Sequence, residues 1–312
     1  MEERPVNGTG KVVLVTGSSR GIGFATSEAL HRRGHTVYAT MRDPEGRNAP
    51  AARAVEGWGG GAHVLELDVS SGSSVSEAVE RIAVEQGRLD VVVNNAGIMN
   101  VGLVEAFTPE QLHEQMDVNY LGPARLFRAA LPMMRRQGSG LFITVSSLAG
   151  RLVFPFLGTY NPSKFAVEAL AEVYRYELSV FGIDSVIVEP GPFETGLIGA
   201  GPRPADGSRL EAYGDFAHAP EAAMAGFREM MAGKAAHDPS VVARDIVELI
   251  DMPAGDRPLR TVSGQDYGAG RINEVVREVQ RAFMAGMGLA HLDPACRPVA
   301  DTLEDEGPAS GA

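Results

Sequence analysis

Short apolar runs alternate with amphipathic stretches from residue 11 to residue 188. Lys11-Val-Val-Leu-Val-Thr16 is β-branched with no polar alternation, the pattern of a strand buried on both faces. Similar runs predict strands at residues 36–40, 63–67, 89–93, 141–145 and 184–188, and a short last one at 259–262. Helical periodicity falls between them, at residues 21–33, 49–57, 74–86, 109–136 and 158–181. In the first, Ile22, Ala25, Ala29 and Leu30 share a face; in the fourth, Pro123 and Pro132 are expected to kink or divide the helix. Two more helices are expected at 241–250 and 272–287. Strands separated by helices require crossover connections, and right-handed crossovers cover both faces of a parallel sheet. The predicted class is therefore α/β, a doubly wound parallel sheet of Rossmann type with about seven strands. Its ligand crevice would lie at the carboxyl ends of the strands.

After Pro190 the pattern changes. Residues 192–238 contain no convincing strand but carry Leu197, Ile198, Tyr213, Phe216, Met224, Phe227, Met230 and Met231 among glycines, prolines and alanines. A segment of that length within a compact domain predicts a helical substrate lid. The domain reading is a flexible arm over 1–10, one catalytic domain over 11–290, and a disordered acidic tail over 291–312.

Composition narrows the class. The 312 residues are 44% hydrophobic and 22% charged, and 28 basic against 40 acidic side chains give a net charge of −12. That sign disfavours non-specific binding to nucleic acid or an anionic membrane. The single cysteine, Cys296, excludes an intramolecular disulfide framework, and no apolar run approaches membrane-spanning length. A cytoplasmic enzyme is expected. The histidines, including His113, His218 and His237, show no metal-ligand spacing, so no metal is assigned.

Candidate chemistry clusters at the strand ends. Thr16-Gly17-Ser18-Ser19-Arg20-Gly21-Ile22-Gly23 joins the first strand to the first helix. Its glycines would let backbone approach a pyrophosphate at a helix amino terminus. The second strand ends Thr40-Met41-Arg42-Asp43. An acid that would bind a ribose 2′-hydroxyl is replaced there by Met41 and Arg42, and Arg20 can reach the same place. NADP(H) is favoured over NAD(H), with Asp43 as the rival ribose ligand. Asp68-Val69 after the third strand suits an adenine, and Asn94-Asn95-Ala96-Gly97 after the fourth would let a cofactor pass close to backbone. Tyr160 and Lys164 lie one helical turn apart, and an ammonium beside a phenol lowers its pKa toward working pH.

These motifs, in this order, resemble the short-chain dehydrogenase/reductase family over residues 11–195, with Asn119, Ser147 and Pro190-Gly191-x3-Thr195 completing the set. The segment 37–43 and the Phe-rich run before Tyr160 look most like its 17β-hydroxysteroid dehydrogenase and carbonyl-reductase-like branch. The resemblance implies that Tyr160 passes a proton to or from the substrate oxygen, which Ser147 also hydrogen-bonds. It further implies that Lys164 binds the nicotinamide ribose and that Asn119 holds a relay water. Pro190 and Gly191 would line the nicotinamide, with Thr195 on its carboxamide. Met99, Phe154, Leu157, Phe193 and Leu197, together with Ile98, Leu152 and Phe156, are expected to form an apolar substrate pocket. The implied activity is NADPH-dependent reduction of a small hydrophobic ketone or aldehyde by a homodimer or homotetramer. The alternatives are an oxidative secondary-alcohol, hydroxysteroid or dihydrodiol dehydrogenase, and a non-catalytic NADP-binding sensor.

Overall fold

The computed structural model describes residues 10–193, 195–198, 201–231 and 237–294, without the side chains of Met230 and Met231. The arm before residue 10, the tail from residue 295 and parts of the 192–238 segment lie outside the described residues.

Seven parallel strands form one sheet in the order β3-β2-β1-β4-β5-β6-β7. They are β1 (Val12–Val15), β2 (Thr36–Met41), β3 (Ala62–Glu66), β4 (Val91–Asn94), β5 (Gly140–Val145), β6 (Ile183–Pro190) and β7 (Arg260–Ser263). The helices are α1 (Gly21–Arg32), α2 (Ala49–Glu56), α3 (Gly72–Gln86), α4 (Pro109–Met116), α5 (Gly122–Gln137), α6 (Tyr160–Leu178), α7 (Gly207–Glu211), α8 (Ala219–Met231), α9 (Ser240–Asp251) and α10 (Ala269–Gly286).

Alternate strand residues separate two cores, as the period of 2 requires. Val12, Leu14, Val92 and Phe142 pack against α3 and α5, through Ile82, Leu126, Phe127 and Met134. Val13, Val15, Val91 and Ile143 face the other way, against Leu30 of α1 and Val242, Ile246 and Leu249 of α9. The strand order reverses between β1 and β4, where a doubly wound sheet opens its crevice.

One sequence expectation is refined, and another is corrected in part. The fully buried face of α1 is Gly23, Thr26, Ser27 and Leu30, while Ile22, Ala25 and Ala29 are only half-buried. Small side chains let α1 lie close to the sheet. Ser27 satisfies its hydroxyl on the Gly23 carbonyl (2.8 Å), a turn back along the helix, and on Ser18 Oγ (3.0 Å). The 109–136 region is divided by one π-helical turn, Asp117–Leu121, in which the Gly122 N–H donates to Asp117 O. Pro123, which has no N–H to donate, sits in the first turn of α5 directly after that π turn. Pro132 lies inside α5 and does not end it; it faces solvent, as does Arg128 one turn earlier.

Candidate active site

The loop between β1 and α1 is held by hydroxyls and glycines. Thr16 Oγ1 donates to Val93 O (3.2 Å) and accepts from the N–H groups of Asn95 and Ala96 (both 3.0 Å), joining the ends of β1 and β4. Asn95 Nδ2 donates to the carbonyls of Thr16 (2.8 Å) and Gly17 (3.2 Å). Gly17 and Gly21 have φ of +70° and +57°, left-handed values that favour glycine. A Cβ on Gly23 would overlap the Gly17 carbonyl and the Asn95 amide. The first-turn N–H groups of α1, which have no intrahelical acceptor, thus open onto a tight loop in which a Cβ at Gly17, Gly21 or Gly23 would collide with Ala96, Thr195 or the Gly17 carbonyl. This donor set fits a pyrophosphate.

One cavity of about 830 Å³ runs from this loop across the carboxyl ends of the strands. Gly17, Ser19, Arg20, Gly21 and Ile22 line one end, with Arg42, Asp68 and Val69 beside them. Asn95, Ala96 and Gly97 line the middle, and Pro190, Gly191 and Thr195 stand opposite. Thr16 and Gly23 do not line it; they support the loop from behind. Asp43 is drawn away, at φ +48°, by accepting from the Arg47 N–H (2.9 Å). That leaves Arg20, Arg42 and Arg47 as the guanidiniums at this end. Burial opposes the ionisation of Asp68, but hydrogen bonds from Ser70 and the charges of Arg42 and Arg47 hold its pKa below the ordinary value. Arg47 and Asn48 were not singled out in the sequence. They follow Gly46 in a polar turn with no signal that separates a lining residue from a solvated one.

Tyr160, Ser147 and Lys164 meet in the cavity wall, and all three are lining residues. Ser147 follows β5 and caps the single turn Leu148–Gly150, whose Ala149 N–H it accepts at 3.1 Å. Tyr160 is 5% exposed, and Lys164 Nζ lies 5.6 Å from its ring centroid while donating to Val145 O (2.9 Å). The expected lowering of the phenol pKa is not found in the chain alone. Burial pushes Tyr160 up to about 12, a rise that a hydrogen bond with Ser147 partly offsets. The ammonium lies over the ring, bonded to a carbonyl, so desolvation wins. Burial likewise pulls Lys164 down to about 8, opposed by the charge of Glu168.

Asn119 sits in the π turn. Its Oδ1 accepts from Ile98 N–H (2.9 Å), and its Nδ2 donates to Ile98 O and Ser163 Oγ (both 3.0 Å). Ser163 in turn donates to the Tyr160 carbonyl (2.7 Å). Asn119 therefore fixes the β4 exit against the start of α6, without itself lining the cavity.

The far half of the cavity is apolar. Met99, Leu157 and Tyr160 form a buried cluster against which Phe154, Leu197 and Ile198 pack. Ala223, Met224 and Phe227 of α8 also line the cavity. Phe193 also lines the cavity, but its ring belongs to the α9 side of the core, against Gly264. Leu152 does not line it. Tyr213 and Phe216, from the same segment as α8, point elsewhere: Tyr213 donates to Glu105 (2.9 Å) and Phe216 meets Phe156. Tyr267, missed in the sequence, lines the cavity from the turn before α10. Among the described residues no helix is long and apolar enough to cross a membrane.

Comparison with known proteins agrees with this geometry. Residues 11–202 match the short chain dehydrogenase family. The chain is 39% identical over 187 residues to a 3-ketodihydrosphingosine reductase of Bacteroides thetaiotaomicron, covering 60% of this chain and 65% of that protein. It is 39% identical over 192 residues to the 17-beta-hydroxysteroid dehydrogenase type 1 of Homo sapiens, covering 60% of this chain and 58% of the relative. The matched region thus spans less than two thirds of either relative. A crystal structure of a short-chain dehydrogenase from Streptomyces avermitilis is similar over 90% of this chain and 99% of its own, with a TM-score of 0.72 and 32% identity. With a seven-stranded doubly wound sheet, a glycine cradle at β1 and this match over most of the sheet, the chain belongs to the short-chain dehydrogenase family.

Proposed function

We propose that the chain is an NADPH-dependent reductase of a hydrophobic ketone or aldehyde, working reversibly. The observation that carries this reading is the meeting of Tyr160 with Ser147 where the polar and apolar parts of one cavity join. A bound nicotinamide would supply hydride to the carbonyl carbon. The remaining work falls to the chain's own groups. Tyr160 gives its proton to the carbonyl oxygen, and Ser147 donates a second hydrogen bond to that oxygen as charge develops. Burial raises the Tyr160 pKa, which keeps the phenol in its proton-donating form in the neutral range.

Lys164 holds the nicotinamide ribose, and Asn119 braces Ile98 against Ser163 beside it. Gly17, Ser19, Gly21 and Ile22 cradle the pyrophosphate, with Thr16 and Gly23 shaping the loop. Asp68 and Val69 hold the adenine, Asn95 to Gly97 the adjoining backbone path, and Pro190, Gly191 and Thr195 the nicotinamide. Arg20, Arg42 and Arg47 favour a 2′-phosphate.

Met99, Phe154, Leu157, Leu197 and part of Phe193 take the substrate, under a lid that includes α8. The names of the two relatives point to a keto-sphingoid base and a steroid, both large and apolar, and the apolar end of the cavity suits that class. A homodimer or homotetramer in the cytoplasm completes the proposal; exposed Phe165 and Val173 on α6, with Phe181 beyond it, offer apolar surface to a second copy.

The test is a panel of steroid, long-chain and aromatic ketones with NADPH and with NADH, followed by loss of reduced-nucleotide absorbance. Turnover with NADPH is expected. Tight NADPH binding without turnover on any ketone would indicate a sensor, and alcohol oxidation with a clear NAD preference would overturn the cofactor and direction together.

A further inference from the structure

Behind the Tyr160–Ser147–Lys164 wall lies a buried charged cluster. Glu168 stands one helical turn after Lys164 on α6 and is 2% exposed. Its Oε1 accepts from Ser146 Oγ at 2.8 Å, and Ser146 directly precedes Ser147. Its Oε2 accepts from Arg260 Nε of β7 at 2.9 Å and lies 3.9 Å from Arg151 Nη1. Arg260 is shared with Glu172 (2.6 Å) and with Glu189 (3.4 Å), the residue before Pro190. Asn273 of α10 donates to the other oxygen of Glu189 at 2.5 Å. Gly150 permits the closeness, since a Cβ there would lie 2.5 Å from Glu168 Oε1 and 2.8 Å from Ser146 Oγ.

We propose that Glu168 is a positioning residue for the proton-transfer site, holding the Ser146–Ser147 corner against α6 and placing a buried carboxylate one helical turn from the Lys164 ammonium. The inference rests on the reading of Tyr160, Ser147 and Lys164 given above. Three features of the cluster support it. Lys164 is buried with one carbonyl acceptor, and Glu168 is its one Coulombic support. Glu168 also joins the three segments that must keep register around the cavity: the β5 exit, α6 and, through Arg260 and Glu189, the β6 exit. Finally, burial and the nearby charge of Glu168 both raise the Glu189 pKa, so the two carboxyls act on one another. Glu168 and Glu189 thus share Arg260 as their common counter-charge.

The sequence allows a direct test, because the chain has three lysines, Lys11, Lys164 and Lys234. In protein labelled with [13C]lysine, NMR titration of the three Cε signals, assigned with Lys164→Arg, reads the Lys164 pKa without substrate or turnover. Glu168→Gln keeps the side-chain volume and removes the charge. It is expected to move the Lys164 titration down by about one pH unit or more, as loss of a near opposite charge does. Glu168→Asp, which draws the charge back by one methylene, should move it the same way by less, and it carries the test if the Gln variant does not fold. Glu172→Gln also removes an Arg260 partner and is expected to leave Lys164 in place. An unmoved Lys164 titration in the Glu168 variants, or an equal shift in Glu172→Gln, overturns the proposal. Absence of ketone reduction by the unaltered chain would instead count against the functional reading, and the titration would still stand.

Discussion

Replacing Arg42 with alanine separates the two nucleotides in one experiment. Arg42 and Arg47 line the nucleotide end of the cavity, and both are exposed. A charge-assisted hydrogen bond to a phosphate contributes roughly 1.5–3 kcal/mol. Exposure and screening place these two near the lower end. At about 1.4 kcal/mol per decade, Arg42→Ala should weaken NADPH binding about tenfold, and Arg42→Ala with Arg47→Ala about a hundredfold. Both replacements spare the loop backbone, because Asp43 accepts from the Arg47 N–H and not from its guanidinium. NADH, which lacks the 2′-phosphate, should be nearly unaffected. The assay is fluorescence titration of each reduced nucleotide at two ionic strengths, with KM for each measured on one ketone. The NADPH loss should shrink as salt rises. Equal weakening of NADPH and NADH, or no change for either, would refute the assignment of these arginines to a 2′-phosphate.

Two further substitutions test the cradle and the buried ammonium. Gly23→Ala sets a methyl group against the Gly17 carbonyl, which as backbone yields little; a loss of about 1–3 kcal/mol in stability and of nucleotide binding is expected. Unchanged melting and unchanged binding would contradict the close approach. Lys164→Met should stabilise the nucleotide-free chain at neutral pH while abolishing turnover. Burial lowers the Lys164 pKa from 10.5 to about 8, equivalent to roughly 3 kcal/mol, and the lost bond to Val145 O offsets about 1 kcal/mol of that. The folded pKa is the depressed one, so the cost of the buried charge is full below about pH 8 and fades as pH rises toward 10.5. Denaturant melts of both proteins across that window should converge at the alkaline end. A Met variant less stable than wild type at pH 7 would contradict the burial argument.

The sheet was legible because its strands are β-branched runs buried on both faces, and because the turns after β1 and β4 carry residues with few other uses. Side-chain neighbours were less so. The close packing of α1 depends on Thr26 and Ser27, which a hydrophobic count assigns to the solvent side. The π turn at Asp117–Leu121 brings Asn119 to Ile98 and Ser163, both distant in sequence, and neither partner could be read from the local pattern. The Tyr160–Lys164 spacing correctly placed both groups in one wall but gave the wrong direction for the phenol pKa. Spacing reports proximity, whereas the pKa depends on how much water the fold removes. The cluster around Glu168 was invisible for the same reason, being assembled from α6, β6, β7 and α10.

The central claim is that the Tyr160 hydroxyl gives its proton to a substrate carbonyl. Tyr160→Phe removes that oxygen while leaving the ring in its cluster with Met99 and Leu157. The account predicts NADPH affinity close to that of the unaltered chain, with ketone turnover reduced by about 10²–10⁴-fold. Ketone reduction by Tyr160→Phe at the unaltered rate would contradict it.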